Sequence, residues 1–168
     1  MEISPDVFTT DYAGEPGHRT FYIQARVGSS VMTYLLEKGQ VSVLAEKLGE
    51  MLLTIDPDDT VKGASPARDP ALLAEAQEPA WRVGSMGLGY DPDTDRIMVV
   101  LNEVEPDEDD PEPAGSVQFS LRIDQARSFI LHAGAVVAEG RPTCPLCGLP
   151  IDPEGHRCPA TNGHHPVE

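Results

Sequence analysis

Hydrophobic side chains change their spacing three times along this chain, and that switching limits the fold more than any other feature. Over residues 19–27, Phe21, Ile23, Ala25 and Val27 alternate with Thr20, Tyr22, Gln24 and Arg26, the period of a half-buried strand. Gly28-Ser29 supplies a tight turn into a second strand over 30–37. The period then lengthens. Val41, Leu44, Ala45, Leu48, Met51, Leu52 and Ile55 follow the i, i+3, i+4, i+7 spacing of a helix with one apolar face, and Asp56-Pro57 ends it. From Ala80 the alternation returns. Segments 81–90 and 96–104 flank the turn sequence Asp91-Pro92-Asp93-Thr94-Asp95, and Val117, Phe119, Leu121 and Ile123 form a further strand. A second helix follows, with Asp124 as its expected N-cap, an apolar face of Ala126, Phe129, Ile130, Ala133, Val136 and Val137, and Gly140 as its end.

Two strand-hairpin/helix halves joined by short turns predict an α+β fold: one antiparallel sheet with both helices on one face. The domain is expected over residues 1–140, with a small C-terminal zinc ribbon over 141–168. Residues 1–18, interrupted by Pro5 and Pro16, read as an irregular start. The Asp-, Pro- and Ala-rich stretch 56–79 reads as a surface excursion with a short helix over 70–78. Residues 103–113 hold seven carboxylates and three prolines, a segment with nothing to bury that is expected to be a mobile loop.

Charge narrows the partners. With 168 residues, the chain carries 28 Asp and Glu against 12 Lys and Arg, a formal net charge of −16. Neutralising phosphates requires clustered cations, so nucleic acid and anionic membrane are excluded as expected partners. No apolar run approaches the ~20 residues of a membrane span, and Met1-Glu2-Ile3-Ser4-Pro5 has no secretory character, so a cytoplasmic protein is expected.

All 3 cysteines lie in the tail, at positions 144, 147 and 158. In a reducing compartment, clustered thiols more often bind metal than pair. Cys144-Pro145-Leu146-Cys147-Gly148 has the spacing of a zinc knuckle: two intervening residues let both sulfurs reach one ion, and the glycine lets the chain turn. Cys158 adds a third thiolate. A closed tetrahedral site, structural and not catalytic, needs a fourth ligand. Two histidines qualify. His156 stands two residues before Cys158, and His164 six after it, a spacing that slightly favours His164.

Other signals are weaker. Gly84-x-x-Gly87-x-Gly89 has a phosphate-loop look but no helix behind it, so small residues under close packing are the better reading. His18 is isolated, and His132 beside the last helix's apolar face reads as a structural histidine. The acidic run lacks the spaced ligands and turn glycine of a Ca²⁺ loop. Arg19, Arg26, Lys38 and Arg82 sit in or near strands, where they form a possible anion-binding cluster if they converge.

The segments Phe21-x-x-x-Ala25, Glu37-Lys38-x-Gln40-Val41, Trp81-Arg82-Val83-Gly84 and Ala126-Arg127-x-Phe129, with the tail Cys144-Pro-x-Cys-Gly-x-Pro-Ile-Asp-Pro-x-Gly-His-x-Cys, resemble the actinobacterial family called domain of unknown function 3090. The resemblance implies His156 as the fourth ligand, through the family's Gly-His-x-Cys. It carries over no activity and no catalytic residues. It also implies a pathway shared with a lipid-kinase-like and a phosphoglycerate-mutase-like protein, which become candidate partners. Two functions are therefore expected: first a non-enzymatic interaction or adaptor module with structural Zn²⁺, second an enzyme or accessory subunit acting on a phosphorylated small molecule.

Overall fold

A computed structural model describes residues 2–15, 17–58, 78–109, 113–138, 144–147 and 158. Its elements run β1 (Glu2–Ile3), β2 (Val7–Ala13), β3 (Thr20–Val27), β4 (Ser30–Leu36), α1 (Lys38–Ile55), β5 (Val83–Asp91), β6 (Arg96–Glu103), β7 (Ser116–Leu121) and α2 (Ile123–Ala138). The chain divides into two units, Met1–Val137 and Ala138–Glu168. The first is α+β, as the change of period predicts. Residues 70–77 of the helix expected over 70–78 and the Gly140 stop lie outside the described residues, and Glu78 is in a bend.

The expected single sheet is two. One has the order β2-β3-β4 and is antiparallel; the other has the order β1-β7-β6-β5, with β1 and β7 parallel. The start of the chain, expected to be irregular, supplies β1 to one sheet and β2 to the other. Between them Asp6 donates its N–H to the Arg26 carbonyl at 2.8 Å, and its carboxylate accepts the Gly28 N–H at 2.8 Å. This pins the two-residue loop Gly28-Ser29, where Gly28 takes a φ of 58°. Residues expected to begin the third long strand instead cross to the other sheet. Ala80 donates to Thr33 at 2.8 Å, Leu35 donates to the Trp81 carbonyl at 3.0 Å, and Leu35 and Arg82 form a parallel bridge.

Both sheets and both helices contribute to one hydrophobic core. Phe8 of β2 lies 5.2 Å, ring to ring, from both Phe119 of β7 and Phe129 of α2, while Tyr34 of β4 contacts Trp81 and Phe119. Val41, Leu44, Leu48 and Leu52 of α1 are buried, as are Ala126, Phe129, Ala133 and Val136 of α2.

Helix starts differ in detail from the expectation. Asp124 is not the N-cap of α2 but lies in its first turn, paired with Arg122 at 3.0 Å. The Arg122 N–H is taken up instead by the Gln125 side chain at 3.0 Å. The acidic run is likewise shorter than expected as a loop. Glu103 belongs to β6, and its carboxylate accepts the Gly115 N–H at 2.7 Å. Residues 104–109 are exposed and lie outside helix and strand. Among the described residues, no helix is long and apolar enough to cross a membrane.

Candidate metal centre

The geometry of the tail starts from the turn Cys144–Cys147. Proline follows the first cysteine, and Leu146 at the tip is exposed, which leaves the backbone amides on the inner side of the turn. Burial raises the pKa of the Cys144 thiol, but the N–H groups of Cys147 and Leu146 and the thiols of Cys147 and Cys158 all point at its sulfur. Their sum wins, and the thiol lies below its ordinary value. A sulfur so surrounded is prepared to carry negative charge.

Cys158 closes the group from 14 residues away in sequence: its sulfur lies 3.8 Å from that of Cys144. Both are buried, Cys147 is half-buried, and all three are thiols and not disulfides. The three sulfurs lie within 4.8 Å of one another. Zn–S bonds of about 2.3 Å at tetrahedral angles place two sulfurs about 3.8 Å apart. The observed Cys144–Cys158 separation matches the edge of a tetrahedron around an ion of that size. The donor set also fits, since three clustered thiols are a soft set suited to zinc. His156 and His164, the two alternatives for the fourth position, lie outside the described residues.

Of the four cations of the expected anion cluster, Arg19, Lys38 and Arg82 belong to one end of the β3–β4 pair and Arg26 to the other. Arg19 precedes β3, and its guanidinium lies 4.1 Å above the Tyr12 ring. Arg26 is near the other end of β3, roughly 23 Å away for seven residues of extended chain. Lys38 opens α1, and Arg82 pairs with Glu37 at 2.6 Å. The β4–α1 junction thus brings Lys38 and Arg82 near each other, and Arg26 stands apart from them.

The glycine series also resolves by position. A Cβ on Gly84 would lie 2.7 Å from the Val104 Cα, so backbone packs closely there; on Gly87 or Gly89 it would meet only ordinary contacts with Val100 and Met98. After Gly89 the chain enters the Asp91–Asp95 turn and β6, not a helix, so no phosphate cradle forms. His18 is exposed; His132 is buried, with its Nε2 3.7 Å from the Asp11 carboxylate.

Three features went unread in the sequence. Asp56 at the end of α1 pairs with Arg127 of α2 at 3.0 Å, with the carboxylate almost fully buried. Asp11 is buried inside a strand not expected at all. Gln40 joins two elements: its oxygen accepts the Glu37 N–H at 2.7 Å, and its NH₂ donates to the Val83 carbonyl at 3.0 Å. The Glu37-x-x-Gln40 spacing at a helix start was the available signal for the first of these bonds.

No curated protein and no solved structure matches the chain. A family model does, over residues 3–158, a span that takes in both sheets, both helices and all three cysteines. The chain therefore belongs to the family described as Protein of unknown function (DUF3090).

Proposed function

We propose that this protein is a non-enzymatic interaction module whose tail is held by one structural Zn²⁺, bound by Cys144, Cys147, Cys158 and His156. The observation that carries the reading is the convergence of three sulfurs within 4.8 Å, with N–H groups turned toward the first. A fully protein-ligated zinc has no open position for water or substrate, so its contribution is to stabilise a chain too short to bury a core of its own. His156 is favoured over His164 by the Gly-His-x-Cys pattern in the tail. The cytoplasm is the expected compartment, because thiols there stay reduced and available to metal.

The lipid-kinase-like and phosphoglycerate-mutase-like proteins are the proposed partners. Gel filtration of each with the zinc-loaded chain is expected to give a stoichiometric complex with at least one. Independent elution of both, with no stoichiometric partner recovered from native cells, contradicts the reading. The alternative, action on a phosphorylated small molecule, draws on Arg19, Arg26, Lys38 and Arg82, of which Arg26 lies at the far end of β3 from the other three. Thermal stabilisation by a phosphate ester would favour it; a flat response across a panel is expected.

A further inference from the structure

We propose that the free edge of β5 and the groove beside it take up a basic, extended segment of a partner protein as an added strand. The inference rests on the interaction-module reading and names its surface. β5 ends its sheet, paired to β6 on one side. On the other side the parallel bridge to Leu35 stops at Arg82. From Gly84 to Asp91, no strand among the described residues pairs with that side. Alternate N–H and C=O groups along such an edge turn away from the sheet and form a template for another strand. The Val83 carbonyl shows what the edge accepts: the Gln40 side-chain amide donates to it at 3.0 Å, as the N–H of an adjoining strand would.

Beyond Gln40, α1 and β5 separate to leave a groove of about 360 Å³, lined among others by Gly39, Val43, Leu44, Met86 and Leu88. Val43 on its helical wall is 49% exposed. Register fixes how a strand would sit. Met86 and Leu88 oppose Leu101 and Val99, whose side chains are buried in the core, whereas Gly87 and Gly89 oppose Val100 and Met98 on the other face. An added strand would direct every second side chain into the apolar groove, and the others over glycines that offer no obstruction.

Charge selects the occupant. On the helical wall Lys47 itself lines the groove, but its ammonium is paired with Glu50 at 3.1 Å and also feels Glu46, so that side carries two carboxylates to one ammonium. At the hairpin end stand Asp91, Asp93 and Asp95. A second copy, itself at −16, would bring the same carboxylates against each other. A segment alternating apolar residues with Lys or Arg satisfies both the groove and the rim.

The test uses the full-length, zinc-loaded chain and a blocked Lys-Val-Lys-Val-Lys-Val peptide, with the Glu-Val analogue as control; amide hydrogen exchange is read over residues 84–91. The Lys-Val peptide is expected to slow exchange at alternate amides by about tenfold or more at saturation, an effect weakened by salt. The Glu-Val peptide is expected to leave exchange unchanged. Val43→Glu, at an exposed position, is expected to keep the unfolding midpoint and yet abolish the protection, although its added negative charge would strengthen any unspecific attraction. Three results overturn the proposal: no slowing at millimolar peptide, equal slowing by both peptides, or protection without peptide that grows with chain concentration as the mass doubles. A stoichiometric partner that binds Val43→Glu as tightly as wild type overturns this surface and leaves the interaction-module reading standing.

Discussion

At the scale of single residues, the thiol cluster and two ion pairs make separable claims. Cys144→Ser and Cys158→Ser each remove one of the three clustered sulfurs, and each is expected to lose bound zinc in elemental analysis. Asp56 places a carboxylate at the C-terminal end of α1, where the helix dipole disfavours it, and Arg127 offsets this from α2. Arg127→Ala leaves that buried carboxylate without its guanidinium, and a loss of roughly 2–4 kcal/mol is expected in denaturant unfolding. The Arg122–Asp124 pair is half in water and is worth less. Hydrogen bonding to Arg122 outweighs partial burial and holds the Asp124 pKa below the ordinary carboxylate value. The sign follows: folding favours the ionised form, so its contribution is full above the unfolded pKa and is lost as pH falls through the lower folded value. Arg122→Ala is expected to move the Asp124 titration, followed by carboxyl NMR, back toward the ordinary value, with less than about 1 kcal/mol of stability involved.

Among the elements, β5 shows how one residue type serves two purposes. Gly84 lies at the register shift between Val83 and Ser85, against the backbone of Val104. Gly84→Ala forces backbone to move and is expected to cost about 1–3 kcal/mol. Gly87→Ala meets only the Val100 side chain, at 3.7 Å. It is expected to be neutral or to stabilise by up to about 1 kcal/mol, since glycine weakens a strand interior. Equal destabilisation of the two variants in thermal unfolding would contradict this distinction. Helices and most strands were legible because their large hydrophobic residues recur on one face, even where the polar face is itself covered, as at Gln24 of β3 and Ser120 of β7. β2 was not legible: Thr10 shares a face with Phe8, and Thr9 and Asp11 on the other face are buried as well, so its polar residues fall on both covered faces and no alternation results. Its aromatic residues then look like isolated hydrophobics between Pro5 and Pro16.

Across the whole molecule, what sequence could reveal depended on whether the determining contacts are local. The cysteine cluster was legible because three residues at knuckle-like spacing carry its chemistry almost alone. The division into two sheets was not, because β1 joins β7 while β2 joins β3, pairings over distances that no local period records. For the same reason nothing in the glycine pattern said that β5 would stand at an edge. The place of Arg26 was hidden for a related cause: strand membership does not say which end of a strand a side chain occupies, and Arg19 and Arg26 fall near opposite ends of β3. The net charge of −16 gains a specific meaning at this scale, since it sets the sign of a partner for the β5 edge. The central claim is the metal in the tail, and zinc content per chain, measured on protein purified without added metal or chelator, tests it most directly. One zinc per chain, retained in His164→Ala and lost in His156→Ala, is the expected result; a fully folded wild-type chain with no stoichiometric zinc would contradict it.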